Sequence, residues 1–146
     1  MSTRTDVGTQ QRSSRLEGNK LALVVERDSP TRELVAHFLR GIGLAVEFVS
    51  DGVAALEATR RLQPDLVITE VLVPKLDGLA LCRHIKGSPE TRGTAVLIIS
   101  ILASSARARE AVADAFLLKP LSEDRLVGAV RSILREDAQP RKQEGT

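Results

Sequence analysis

Six polar residues follow the apolar runs of this chain, at the points where strands of a parallel sheet are expected to end. They are Glu26, Arg27, Asp28, Glu70, Ser100 and Lys119. Glu70 is the most informative, because it closes an apolar run and is followed by Pro74 and a Leu-Asp-Gly turn that ends at Gly78. Such a segment brings one carboxylate to the carboxyl edge of a buried sheet, where α/β folds place their chemistry. We therefore expect the six side chains to form one site.

The elements that position these residues alternate between strand-like and helix-like segments five times. The predicted strands are Leu21–Val25, Leu44–Val49, Asp65–Glu70, Ala95–Ser100 and Ala115–Leu118. Four are almost continuously apolar, which is typical of strands covered by helices on both faces, whereas the second alternates and is expected at a sheet edge. Five βα units with crossovers of this length predict an α/β fold with a doubly wound, five-stranded parallel sheet in the order 2-1-3-4-5.

The predicted helices have recognisable first residues and apolar faces. Ser29 is expected to cap the first helix, Asp51 the second, Asp77 the third and Ser122 the last. The apolar face of the first helix is predicted to contain Leu34, Val35, Phe38, Leu39 and Ile42. The buried stripe of the last helix is predicted to contain Leu126, Val130, Ile133 and Leu134.

Three sequence features together resemble the receiver domains of bacterial response regulators: the Pro-Lys-Leu-Asp-Gly loop that ends at Gly78, the Ala-Asp-Ala-Phe segment that ends at Phe116, and the pair Lys119-Pro120. The resemblance covers nearly all of residues 21–136 and implies a flavodoxin-like fold. It places Glu70 at the phosphoacceptor position and Phe116 at the switch-aromatic position. It also implies that acids after the first strand hold Mg²⁺, that Ser100 and Lys119 bind the phosphoryl group, and that the Lys119-Pro120 bond is cis.

Two positions depart from the family pattern. Glu70 stands where receivers carry Asp, and its extra methylene moves the carboxylate outward by about 1.5 Å. Arg27 stands where the second metal-binding acid belongs, and a fixed cation there repels Mg²⁺. Asp28 could replace the missing acid from one residue later, but capping of the first helix is the favoured interpretation. We therefore expect no bound metal or cofactor, loss of Mg²⁺ binding and no enzymatic phosphoryl transfer.

A third departure lies between Ser100 and Lys119, which are about three residues closer in sequence than is usual in receivers. Val112 replaces the usual glycine after the fourth helix, and valine does not readily adopt the left-handed conformation. We therefore expect a short fourth helix with a different exit. Receivers usually contact their partners through the fourth helix, fifth strand and fifth helix, so this face is predicted to bind a protein partner in an unusual way.

The favoured function is a stand-alone, atypical receiver (a pseudo-receiver) of two-component signalling, which binds a kinase or downstream protein without being phosphorylated. In this interpretation Glu70 is paired with Lys119 and Arg27, and no output domain follows. The alternative is a conventional response regulator that a histidine kinase phosphorylates at the same pocket. A flavin-binding module on this fold is disfavoured, because the segment after the first strand presents acids where a phosphate-cradling loop is needed. A homodimer remains open.

Composition restricts the remaining possibilities. Residues 1–19 and 137–146 are predicted to be disordered tails around a receiver domain at 20–136. Residues 21–136 carry fifteen basic and fifteen acidic side chains, which argues against nucleic-acid binding. With no membrane-spanning run, a cytoplasmic protein is expected. The single cysteine, Cys82, is predicted to be a core residue, and His37 and His84 are predicted to be surface or boundary residues.

Overall fold

The computed structural model describes residues 19–101 and 112–138. Its strands are β1 (Leu21–Val25), β2 (Ala45–Val49), β3 (Leu66–Glu70), β4 (Ala95–Ser100) and β5 (Ala115–Leu118). Its helices are α1 (Ser29–Gly41), α2 (Gly52–Leu62), α3 (Gly78–Lys86) and α4 (Glu123–Ala138). The predicted strands are therefore found within one residue of their expected bounds, and α4 is the helix predicted as the last of the chain.

All five strands are parallel and lie in the order β2-β1-β3-β4-β5. This confirms the predicted doubly wound sheet and the edge position of the second strand. In the register of the central strands, Glu70 pairs with Ile99 and Ser100 pairs with Leu118. The carboxyl ends of β3, β4 and β5 therefore lie side by side, and the residues that follow them meet at one edge.

The core is divided between the two faces of the sheet, because alternate side chains of each strand point to opposite sides. On one face, Ala22 and Val24 pack with residues of α1 and α4. On the other face, Leu23 and Val25 pack with residues of α2 and α3, among them Cys82. Cys82 is fully buried, so it is a core side chain as predicted, and this burial raises the pKa of its thiol to about 11. The predicted stripe of α4 is buried throughout.

Two predictions about α1 are wrong in detail. The cap is Asp28 rather than Ser29, because the Asp28 carboxylate accepts a hydrogen bond from the backbone N–H of Thr31 and Ser29 is already helical. This confirms the capping role favoured for Asp28. Leu34 does not join the buried face, since 44% of its surface is exposed, whereas Val35 and Leu39 are buried as expected.

The other predicted caps are confirmed. Asp51 and Asp77 accept hydrogen bonds from the backbone N–H groups of Ala54 and Ala80. The Ser122 hydroxyl accepts one from the N–H of Arg125. His37 and His84 are exposed, as predicted.

Val112 contradicts the expectation drawn from its branched side chain. Its φ is 64°, so it adopts the left-handed conformation that glycine usually occupies, and 63% of its surface is exposed. Asp114 explains why the chain tolerates this conformation: its carboxylate accepts a hydrogen bond from the N–H of Val96 and pairs with Lys86 at 2.9 Å, which fixes the start of β5. The predicted short fourth helix lies within residues 102–111, outside the described residues, as do almost all of the predicted tails.

Candidate functional site at the carboxyl edge

Glu70 and Lys119 form the central contact of the site. Glu70 is the last residue of β3, and its Oε2 atom lies 2.7 Å from the Nζ atom of Lys119. The other carboxylate oxygen, Oε1, accepts a hydrogen bond from the backbone N–H of Val71 at 3.0 Å. Only 14% of the Glu70 side chain and 25% of the Lys119 side chain are exposed. The pair is therefore partly shielded from solvent, and such pairs are screened less by salt than surface pairs are.

Lys119 is held at the site by the backbone around it. It directly follows β5, and its N–H donates to the carbonyl oxygen of Ser100 at 2.8 Å. The Lys119-Pro120 bond is cis, as predicted. The sequence thus identified both the residue and the geometry of its loop.

Ser100 and Phe116 lie on the two strands next to this contact. Ser100 is fully buried at the end of β4 and accepts the Lys119 N–H through its carbonyl. Phe116 on β5 is partly buried and packs against the core cluster shared with α2 and α3. The predicted switch aromatic therefore rests on the side of the sheet that faces those helices.

The acids after β1 have their own contacts. Glu26 accepts a hydrogen bond from the N–H of Asp28 at 3.1 Å. Asp28 accepts from both the hydroxyl and the N–H of Thr31, at 2.6 Å and 3.0 Å. The pKa of Asp28 is lowered mainly by the hydrogen bond from the Thr31 hydroxyl. The Thr31 N–H and the charge of Lys119 lower it further. Asp28 therefore acts as a helix cap within electrostatic reach of the central pair.

Arg27 does not pair with Glu70, which corrects the expectation that Glu70 is bound by two cations. The Arg27 side chain is exposed. Within residues 19–101 and 112–138, the ion pair of Glu70 is formed with Lys119, and its second oxygen is already used by Val71. Arg27 thus adds an exposed positive charge to the loop after β1 and does not form the ion pair with Glu70.

The acidic side chains at this edge can be compared with the arrangement that a metal site requires. Across the part of the chain that the structure describes, no three His, Cys, Asp or Glu side chains are arranged so that they could hold a metal ion. In this arrangement the Glu70 carboxylate is paired with Lys119 and the Asp28 carboxylate accepts from Thr31. In the same part of the chain, no helix has an apolar stretch long enough to cross a bilayer.

Two arginines that contact the loops of the site were missed by sequence reasoning. Arg125 in α4 donates to the carbonyl oxygens of Leu118 and Pro120, which flank Lys119. Arg32 in α1 donates to the carbonyl oxygen of Glu26. The sequence feature that could have identified them is a basic residue near the start of a helix, because the helix dipole disfavours positive charge there.

Comparison with known proteins agrees with this geometry. The sequence profile of the response regulator receiver domain matches residues 22–131. Response regulator MprA of Mycobacterium leprae is 35% identical over 114 residues, which cover 77% of this chain and 50% of that protein. The transcriptional regulatory protein CseB of Streptomyces avermitilis is 37% identical over 116 residues, covering 77% of this chain and 48% of that protein. The chain thus spans about half the length of the curated relatives it matches.

A solved structure gives the same result. The signal receiver domain of a signal transduction histidine kinase from Syntrophus aciditrophicus superposes with a TM-score of 0.76 and 33% sequence identity, covering 86% of this chain and 96% of that one. The range matched by the receiver-domain profile, residues 22–131, includes both Glu70 and Lys119.

Proposed function

The chain belongs to the response regulator receiver domain family, and we propose that it is an atypical receiver that binds a protein partner in two-component signalling without being phosphorylated. Receiver domains are signalling modules, so the question is whether this one retains its phosphorylation input. The observation that carries the proposal is the ion pair between Glu70 Oε2 and Lys119 Nζ at 2.7 Å.

This ion pair supports the proposal because it occupies the lysine that a receiver uses to bind the phosphoryl group. The longer side chain of Glu70 places its carboxylate about 1.5 Å farther out than Asp does. It therefore ends close to where an oxygen of a phosphorylated aspartate would meet the same ammonium. We propose that the pair holds one conformation of the site constitutively.

The acids available for Mg²⁺ support the same interpretation. Receivers need Mg²⁺ to neutralise the phosphoryl oxygens during transfer. Arg27 replaces one carboxylate with a cation, and Asp28 is occupied as the cap of α1. Because Glu70 is also bonded to Lys119, its carboxylate is not free to bind a metal ion, and Arg27 adds a positive charge that a usual receiver lacks. We propose that Mg²⁺ binding is lost.

We propose that the partner, a kinase or a downstream signalling protein, contacts the surface formed by β5 and α4. β5 is an edge strand, and the side chain of Leu118 at its end is 38% exposed. This surface adjoins the loop that contains Lys119. A partner that binds there would therefore contact residues whose conformation is fixed by the ion pair between Glu70 and Lys119.

Phosphoryl transfer measured by intact mass tests the proposal. The wild-type protein is incubated with acetyl phosphate and Mg²⁺, beside a matched variant that carries Arg27→Asp and Glu70→Asp. We expect the wild type to keep its mass and the double variant to gain one phosphoryl group. A gain on the wild type that Glu70→Ala abolishes would contradict the proposal and restore a conventional phosphoacceptor role.

A further inference from the structure

We propose that Arg125 is a positioning residue that holds Lys119 on Glu70. The inference rests on the proposed function, because it concerns what keeps the central ion pair in place. Arg125 lies near the start of α4, and its Nη1 atom donates to the carbonyl oxygen of Leu118 at 2.9 Å and to that of Pro120 at 3.0 Å. These two carbonyl groups belong to the residues on either side of Lys119.

The hydrogen bonds from Arg125 complete the restraint on the Lys119 backbone. On the β4 side, the Lys119 N–H donates to the carbonyl of Ser100 at 2.8 Å. On the α4 side, the flanking carbonyls are bound by Arg125. A lysine side chain loses considerable conformational entropy when its ammonium is held in one place. A fixed backbone limits the positions that this ammonium can reach and therefore favours the contact with Glu70.

The electrostatics of α4 do not favour a positive charge at the position of Arg125. The first turn of this helix contains Glu123 and Asp124, whose negative charges interact favourably with the helix dipole. A cation at the next position is opposed by the same dipole. What the position does provide is two hydrogen bonds to the preceding loop, both donated by the Nη1 atom of Arg125.

A second arginine makes the same kind of contact on the opposite side of the site. Arg32 in α1 donates through Nε to the carbonyl of Glu26 and through its terminal nitrogen to the hydroxyl of Ser50 at 2.9 Å. In both cases an arginine near the start of a helix reaches back to the loop that precedes that helix. The loop bound by Arg125 is the one that carries the cation of the central ion pair.

The experiment compares Arg125→Gln with Arg131→Gln. Arg131 is an exposed residue of the same helix, and within the described part of the chain its side chain makes neither a hydrogen bond nor an ion pair. The readout is the pair of ¹³Cε and ¹Hε signals of Lys119, assigned with Lys119→Gln. Glu70→Gln gives the reference for a Lys119 that has lost its partner.

We expect Arg125→Gln to move the Lys119 signals at least half of the way to their positions in Glu70→Gln, and Arg131→Gln to leave them in place. We also expect the shift in urea midpoint caused by Glu70→Gln to be at most half as large in the Arg125→Gln background as in the wild type. Unchanged signals together with an equal midpoint shift in both backgrounds would overturn the inference.

Arg125→Lys provides a second test, because it keeps the positive charge but has a shorter side chain with a differently placed donor. We expect an intermediate displacement of the Lys119 signals. Since Arg125 is exposed, a positioning role does not make it essential for folding, and failure of both Arg125 variants to fold would also contradict the inference. The mass assay of the wild type separates the two proposals: a phosphorylated wild type would refute the proposed function, whereas the Lys119 signals report on Arg125 in either case.

Discussion

Gly78 lies so close to the end of β3 that a Cβ atom added to it would stand 2.1 Å from the carbonyl oxygen of Glu70. The Gly78 N–H donates to the carbonyl of Val71 at 2.8 Å, so the first residue of α3 is tied to the residue after Glu70. The atom in the way belongs to the backbone and cannot move aside without displacing the strand end. The glycine of the loop is therefore part of what aims the Glu70 carboxylate.

We expect Gly78→Ala to lower the free energy of unfolding by about 1–3 kcal/mol, because the added methyl group has no space without a backbone shift. Chemical denaturation measures this change. Gly128→Ala in α4 is the matched control, since a Cβ there would meet nothing within 4 Å. It should raise the free energy of unfolding by about 0.5–1 kcal/mol, as alanine does in an exposed helix. Equal effects of the two substitutions would show that the close approach does not matter.

The central ion pair leads to a second prediction. Glu70→Gln leaves the partly buried ammonium of Lys119 without a counter-charge, and we expect it to lower the free energy of unfolding by about 1–2 kcal/mol, between the values for surface and buried pairs. Urea denaturation at low salt measures the change. Lys75→Gln is the control, because its ion pair with Asp51 is longer, at 3.7 Å, and the Lys75 side chain is 66% exposed. That change should cost less than about 0.5 kcal/mol. If Glu70→Gln costs no more than this, the pair does not stabilise the site.

How much the sequence predicted depends on whether the interaction is local. The strands could be predicted because a strand buried on both faces, such as Ala95–Ser100, is a continuous apolar run in the sequence. Lys119 was predictable because it follows a strand and precedes a proline, and its cis bond to Pro120 was implied by the resemblance to receiver domains. A capping role was predicted for both Asp28 and Ser29, and the structure gives it to Asp28, because the choice between two suitable caps depends on backbone geometry.

The missed contacts depend on tertiary structure. Arg125 binds carbonyl groups of a loop, and carbonyl groups have no sequence signature. The expected contact of Arg27 with Glu70 failed because Arg27 lies in the loop after β1, where sequence proximity to the site does not fix the direction of a side chain. Val112 adopts an unfavourable conformation because Asp114, two residues later, is anchored to Val96 and Lys86.

Val112 gives a third prediction. A left-handed conformation costs a residue with a Cβ roughly 1–2 kcal/mol, and branching at Cβ makes it less favourable still. Asparagine tolerates this conformation and avoids the extra backbone entropy that glycine adds to the unfolded chain. We expect Val112→Asn to raise the free energy of unfolding by about 1 kcal/mol, measured by thermal and urea denaturation. Val53→Asn, at an exposed residue of α2 with helical geometry, is the control and should not stabilise the protein. Loss of stability in Val112→Asn would mean that the valine side chain makes a compensating contact.

The last prediction concerns pH. The hydroxyl of Thr31 is the main cause that lowers the pKa of Asp28 in the folded protein. A carboxylate whose pKa is lowered on folding stabilises the protein above its ordinary pKa, and this stabilisation is lost as the pH falls through the lowered value.

Thr31→Val removes the hydroxyl donor but keeps the backbone N–H. We therefore expect the pKa of Asp28 to rise toward its ordinary value. The stability difference between wild type and variant should be largest above that ordinary value and should disappear in more acidic solution. Titration of the carboxyl carbons by NMR, with urea denaturation across the acid range, measures both effects. The pKa of Asp51 is the internal control, since it is lowered mainly by the N–H of Ala54 and should not change. If the pKa of Asp28 is the same in both proteins, the hydroxyl contact with Thr31 does not control this cap.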